Sequence, residues 1–226
     1  MTKRISAGAV IVDTLINHGV DTVFGIPGVQ TYELFDALGR AKDKVSLINP
    51  RHEQACAYMA FGYARSTGKE GIYSVVPGPG VLNSGAALVT AYGASTPVMC
   101  VTGEVPANFI GVGLGHLHEL PDQLATLRGM TKWATRIDDP AATATEVTEA
   151  FKQMRTGRPR PVAVSMPWDV FAKTTPKVTL SAFTAQEPLP ADSEEMERAL
   201  ELLKNAQNPM ILVGSGAVNS SDEVLR

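Results

Sequence analysis

Cysteine is scarce: Cys56 and Cys100 are the only two among 226 residues, and they lie far apart in apolar segments. A disulfide-stapled scaffold is thereby excluded, and free buried thiols in a reducing, cytoplasmic compartment are expected. Excess charge is lacking as well, since 20 Lys and Arg against 23 Asp and Glu leave a net charge of −3. With no basic face announced, neither nucleic acid nor an anionic membrane is expected as a partner. Internal repeats and low-complexity tracts are missing. Behind the basic pair Lys3-Arg4, Asp13 and its polar neighbours interrupt any hydrophobic signal region, so no targeting peptide is read.

One absence is local. Residues 71 to 103 carry no charged side chain, a length that on its own suggests a membrane span. Pro77, Pro79, Pro97 and Asn83 argue against that, and a strand, helix and strand of a parallel sheet buried on both faces produces the same run. The 44% of hydrophobic residues suffices for a real core.

Taken in order, Ile5 to His18 reads as a helix stopped by Gly19, and Thr22-Val23-Phe24 as a first strand followed by the loop Gly25-Ile26-Pro27-Gly28. Tyr32, Phe35 and Leu38 mark a second helix ending at Gly39. Val45 to Ile48 reads as a short buried strand broken by Pro50, and a helix starts near Glu53 and closes at Gly68. Further strands are expected at Ile72 to Val76, Val98 to Val101, Lys132 to Ile137 and Pro161 to Met166. Helices are expected over Val81 to Tyr92, briefly over Asp122 to Leu127, and after Asp139, which caps a helix with Pro140 in its first position. This alternation predicts an α/β fold: a six-stranded parallel sheet with helices on both faces.

Residues 1–172 form the expected first domain, and the Thr, Pro, Ser and Ala of 173–191 read as a linker. Residues 192–226 read as the truncated start of a second Rossmann-like domain. There Asp192 and Glu195 open a helix with Met196, Leu200 and Leu203 inward, and Met210 to Val213 reads as a strand. The helix start at Ser221 is cut off at Arg226, so the sequence reads as the front part of a longer protein.

In a parallel sheet the loops after the strands emerge on one edge, where ligands bind. Four stretches are expected there: Gly25 to Gly28, the Glu53 turn, Pro77 to Gly80, and Thr102 to Glu104. Glycine and proline keep such loops low enough for a planar ligand to approach the backbone. Each taken singly is equally an ordinary tight turn, and Glu53 equally an acidic residue suited to a helix N-terminus.

The motifs His52-Glu53-Gln54-Ala55, Gly62-Tyr63-Ala64-Arg65-Ser66-Thr67-Gly68, Gly78-Pro79-Gly80 with Asn83, Phe24-Gly25-Ile26-Pro27-Gly28 and Thr102-Gly103 resemble the pyrimidine-binding domain of thiamine-diphosphate enzymes. The group resembled is that of acetolactate synthase, benzoylformate decarboxylase and their lyase relatives, and the likeness runs from about Ile5 to Met166. It implies a lyase or carboligase acting on 2-oxo acids or related acyl donors, with thiamine diphosphate and magnesium as cofactors. It also implies that Glu53 gives a proton to the pyrimidine ring and favours its imino tautomer, which removes the C2 proton of the thiazolium. A glutamate in that role has to be desolvated, and Ala55 and Cys56 are expected to exclude water from it.

Likeness further places Pro27, Gly28, Pro77, Gly78 and Asn83 around the aminopyrimidine, though Asn83 is equally a helix first-turn residue. Val76-Pro77 stands where acetolactate synthases usually carry Thr-Ser, which weakens the transfer of any hydroxyl contact there. His116 and His118 lie where relatives place substrate-facing side chains; two imidazoles there relay protons or are simply solvated. No metal ligand set is read in this chain, and no Gly-Asp-Gly motif occurs. The resemblance puts that motif, with the magnesium, in a domain this chain lacks. It also implies a homodimer or homotetramer, and the chain alone is expected to be inactive or nearly so. The alternative is a non-catalytic Rossmann-like module that binds a nucleotide or a partner through the same edge.

Overall fold

The structure, a computed structural model, describes residues 4–178, 181–184 and 190–225. Parts of the expected linker, 179–180 and 185–189, lie outside the described residues, as do 1–3 and 226. In chain order the first unit holds β1 (Arg4–Ser6), α1 (Ala7–Asn17), β2 (Thr22–Gly25), a 3-10 turn Val29–Thr31, α2 (Tyr32–Arg40), β3 (Ser46–Ile48), α3 (Glu53–Thr67), β4 (Gly71–Val75) and α4 (Pro79–Gly93). Then follow β5 (Val98–Glu104), α5 (Gln123–Met130), β6 (Trp133–Arg136), α6 (Thr143–Arg155), β7 (Val162–Pro167), α7 (Trp168–Ala172) and β8 (Thr174–Pro176).

Six strands form one sheet in the order β3-β2-β4-β5-β7-β6, and every neighbouring pair is parallel. Side chains alternate across it as the two-residue period of a strand requires. Ile72, Met99, Val101, Val162 and Val164 face one core with Ile11, Leu34, Phe151 and Phe171. Tyr73, Val98, Cys100 and Ala163 face a second core with Cys56, Ala60, Val81 and Leu88. The uncharged run thus supplies β4, α4 and β5 at the centre of the sheet, and no helix of the described residues is long and apolar enough to cross a membrane.

Several local expectations are corrected. Ile5 belongs to β1, which pairs antiparallel with β8 (Ile5 opposite Thr175), so the helix starts only at Ala7, where Ser6 Oγ accepts from Ala9 N. Residues 174–176 therefore form a strand although their composition reads as linker. β3 is an edge strand bonded only to β2, and Ser46 and Ile48 are exposed, so it is not the buried strand its apolar residues suggest. Thr102 to Glu104 are the end of β5 and not a loop, because β7 keeps pairing with them as far as Glu104 opposite Pro167. Gly39 lies inside α2, and Tyr32 at its start is exposed. Pro140 opens a 3-10 turn capped by Asp139, and α6 itself begins at Thr143.

The chain divides into two units, Met1–Gln186 and Glu187–Arg226. In the second, α8 (Ser193–Asn205) is capped by Asp192, which accepts from Glu194 N and Glu195 N. Its Met196, Leu200 and Leu203 are exposed, not inward, since nothing among the described residues covers that face. Met210 to Val213 has no strand to pair with among the described residues and is exposed, so the expected strand does not form. A 3-10 turn Ser215–Ser220 and α9 (Ser221–Val224) follow.

Candidate functional site

Glu53 opens α3 at the sheet edge where β3 ends. His52 is its N-cap, with Nδ1 accepting from Gln54 N at 3.2 Å, and Gly68 closes the helix with a left-handed φ of 72°. Close packing of α3 on β4 is set by Gly71, where a Cβ would stand 2.0 Å from the Ala60 carbonyl oxygen. Glu53 is half-buried, not enclosed, at the first position of α3. Asn83, one turn into α4, donates from Nδ2 to Glu53 Oε2 at 3.0 Å. Glu53 Oε1 makes no hydrogen bond within the described residues, so one carboxyl oxygen stays free for a ligand.

The β2 and β4 turns meet on the side chain of Val76. A Cβ at Gly28 would lie 2.1 Å from Val76 Cγ1, and one at Gly80 would lie 2.8 Å from Val76 Cγ2 and 3.6 Å from Glu53 Cγ. Pro27 is exposed beside Gly28, while Pro77 and Gly78 are buried. Gly78 adopts φ 58° and ψ −112°, a conformation only glycine takes without strain. It lets the turn approach the loop after β5: a Cβ there would come within 2.3 Å of the His118 carbonyl oxygen.

Two buried glutamines lock this edge together. Gln123, at the start of α5, accepts from Gly78 N at 2.8 Å and donates to the Gly103 carbonyl at 2.8 Å and to Ser165 Oγ at 3.2 Å. Gln30 donates to the Leu117 carbonyl at 2.9 Å, and its amide oxygen lies 3.0 Å from His118 Nδ1. Neither glutamine stands out as a site residue in the sequence, and Val76 is noted there only as a departure from the family pattern. A polar residue beside a turn carries no periodic signal, and the Gln30 contacts span 87 and 88 positions. Thus Glu53, Asn83, Gly28, Gly78 and His118 come together, with Pro27 and Pro77 on the same turns. His116 does not join them: its ring packs on Phe109 at 4.0 Å and its N–H donates to Glu119.

Backbone N–H groups of His116 and Gly113 hold the Glu119 carboxyl below the usual range. Burial raises the Glu104 carboxyl, against the opposing N–H of Val105. Burial also pushes the Cys56 and Cys100 thiols up to about 12, which keeps both protonated and unreactive. No group of three or more His, Cys, Asp or Glu suited to a metal occurs among the described residues. The donor set at this edge is one free carboxyl oxygen beside glycine turns, a set with the chemistry to meet a ring nitrogen.

Comparison with known proteins agrees. The family model described as thiamine pyrophosphate enzyme, N-terminal TPP binding domain, matches residues 5–126. The chain is 37% identical over 223 residues to the protein named Probable 2-ketoarginine decarboxylase of Pseudomonas aeruginosa, covering 97% of this chain and 39% of that protein. It is 32% identical over 228 residues to the mitochondrial acetolactate synthase catalytic subunit of Saccharomyces cerevisiae, covering 96% of this chain and 33% of that one. With the chloroplastic acetolactate synthase of Arabidopsis thaliana it shares 34% over 222 residues, 96% of this chain and 32% of the other. The chain thus spans between about a third and two fifths of the length of these relatives. With its parallel sheet, its glycine turns and a glutamate at the edge they share, this chain belongs to the thiamine pyrophosphate enzymes as their N-terminal, cofactor-binding domain.

Proposed function

We propose that this chain is the N-terminal part of a thiamine-diphosphate-dependent lyase or carboligase acting on 2-oxo acids, with Glu53 as its proton-handling group. The observation that carries the reading is Glu53 held by Asn83 through one carboxyl oxygen, with the other free at an edge built from glycine turns. Thiamine diphosphate supplies the electron sink of the reaction once bound. Glu53 would hold the pyrimidine ring through Oε1 and would move a proton at that atom. Asn83 holds the carboxyl through Oε2, and Pro27, Gly28, Pro77 and Gly78 would form the wall beside the ring.

Glu53 is half-buried in this chain, and the bound ring and a second subunit would exclude more water from it. Exposed Tyr58, Met59, Leu82 and Val89 on α3 and α4 form an apolar face beside Glu53 and Asn83 that a second copy would cover. A homodimer or homotetramer follows. Magnesium and the diphosphate belong to a domain outside this chain, and two unpaired buried thiols suit the cytoplasm. The 2-oxo acid class rests on the names of the similar decarboxylase and synthases.

The test is steady-state turnover of a panel of 2-oxo acids by the complete enzyme. Glu53→Gln is expected to lower kcat by about 10²–10⁴, the contribution of a positioned acid or base. Turnover preserved in that variant would refute Glu53 as the proton-handling group, and a parent that turns over no 2-oxo acid would leave only a binding module.

A further inference from the structure

We propose that Gln30 is a positioning residue for His118: it fixes the Nδ1–H tautomer and leaves Nε2 as the single ring atom that exchanges a proton with a ligand at this edge of the sheet. Gln30 is 3% exposed in the turn after β2, and its backbone is pressed on β5, where a Cβ at Gly103 would lie 2.5 Å from its carbonyl oxygen. The orientation of its amide follows from chemistry. The Leu117 carbonyl can only accept, so the amide nitrogen faces it, at 2.9 Å. The amide oxygen therefore faces His118 Nδ1, at 3.0 Å, and that nitrogen has to carry hydrogen.

Nε2 has no hydrogen-bond partner among the described residues, and His118 is partly exposed. Its backbone is held at φ 68°, a left-handed conformation costly for a residue with a Cβ. That strain is maintained by the Gly78 turn beneath it and by Leu117, whose carbonyl Gln30 grips. One loop is thereby pinned twice so that a single imidazole presents one nitrogen.

The neutral ring accepts a hydrogen bond at Nε2, and the imidazolium donates one there, while Nδ1–H stays on Gln30 in both states. The ligand group served is one that gains or loses a proton on oxygen: as its O–H bond breaks, the proton bonds to Nε2, and the step reverses. This inference rests on reading the edge as the cofactor and substrate site, and its first test does not depend on that reading.

Long-range 1H–15N correlation spectra of this chain, with His118 assigned by its loss in His118→Asn, report the tautomer at a pH where the ring is neutral. A protonated Nδ1 and an unprotonated Nε2 are expected; the reverse overturns the proposal. Gln30→Met is expected to give a mixture of tautomers, and an unchanged pure Nδ1–H form in that variant also overturns it. If Gln30→Met does not fold, the parent spectrum decides. In the complete enzyme Gln30→Met should lower kcat/KM at least about tenfold, part of the ~10²–10⁴ that positioned proton transfer contributes, and should displace its pH profile. A confirmed tautomer with an unmoved pH profile would show that His118 is oriented but does not serve the reaction.

Discussion

Replacing Gln123 with methionine tests how the site edge is held together. The side chain is 2% exposed and makes three hydrogen bonds, but their losses are unequal. The Gly103 carbonyl keeps Ser165 Oγ at 3.3 Å and Thr102 Oγ1 at 3.4 Å, so it is not orphaned. Ser165 Oγ in turn keeps the Gly103 carbonyl. Gly78 N–H, buried and bonded among the described residues to Gln123 alone, loses its acceptor, and a stranded buried donor costs about 1–3 kcal/mol. Methionine nearly conserves the volume, so the cavity contribution is small. A total of about 2 kcal/mol corresponds to a Tm lower by about 4–8 °C in a unit of this size. Thermal and urea unfolding followed by far-UV circular dichroism read this, and amide exchange at Gly78 should accelerate. A change below about 0.5 kcal/mol would refute the assignment of Gln123 as the clamp on that turn.

Two further outcomes are expected. Gly71→Ala drives a Cβ into the Ala60 carbonyl, so α3 must move off β4 at a cost of about 1–3 kcal/mol or more, read by urea denaturation. His18 is buried, stacks on Phe151 at 4.1 Å and accepts from Phe183 N at Nε2, at 3.0 Å. Burial, helped by nearby Arg155, holds its pKa below the usual 6.5 of an imidazole. Its contribution is therefore complete above pH 6.5 and is lost as pH falls from there through the folded-state pKa, because the unfolded chain takes the proton first. His18→Leu should flatten this part of the stability profile, whose slope is at most about 1.4 kcal/mol per pH unit; an unchanged slope would refute the assignment.

The alternation of strands and helices was legible because each central strand is covered on both faces and reads as an uncharged apolar run. Glu53 was legible from its flanks, Pro50 before it and Gly68 after it. What stayed hidden depends on distant partners. β1 and β8 are three residues each and pair across 170 positions, so neither carries a local pattern. The ends of β5 look like a loop until β7 is seen to pair with them. β3 has the residues of a buried strand but lies at the edge, where one face of its ladder is open. At the site, Gln30 and Gln123 matter only through the backbone groups they reach, and Val76 matters through two glycines that leave room for it. The second unit illustrates the converse: the apolar pattern of Met210 to Val213 is clear, but a strand needs a neighbour to exist.

The most direct measurement is hydrogen–deuterium exchange at C2 of thiamine diphosphate bound to the complete enzyme, compared between the parent and Glu53→Gln. A fall in the exchange rate of about 10² or more is expected if Glu53 supplies the proton to the pyrimidine ring. Exchange at the parent rate, with the cofactor bound and the fold intact, would contradict that role.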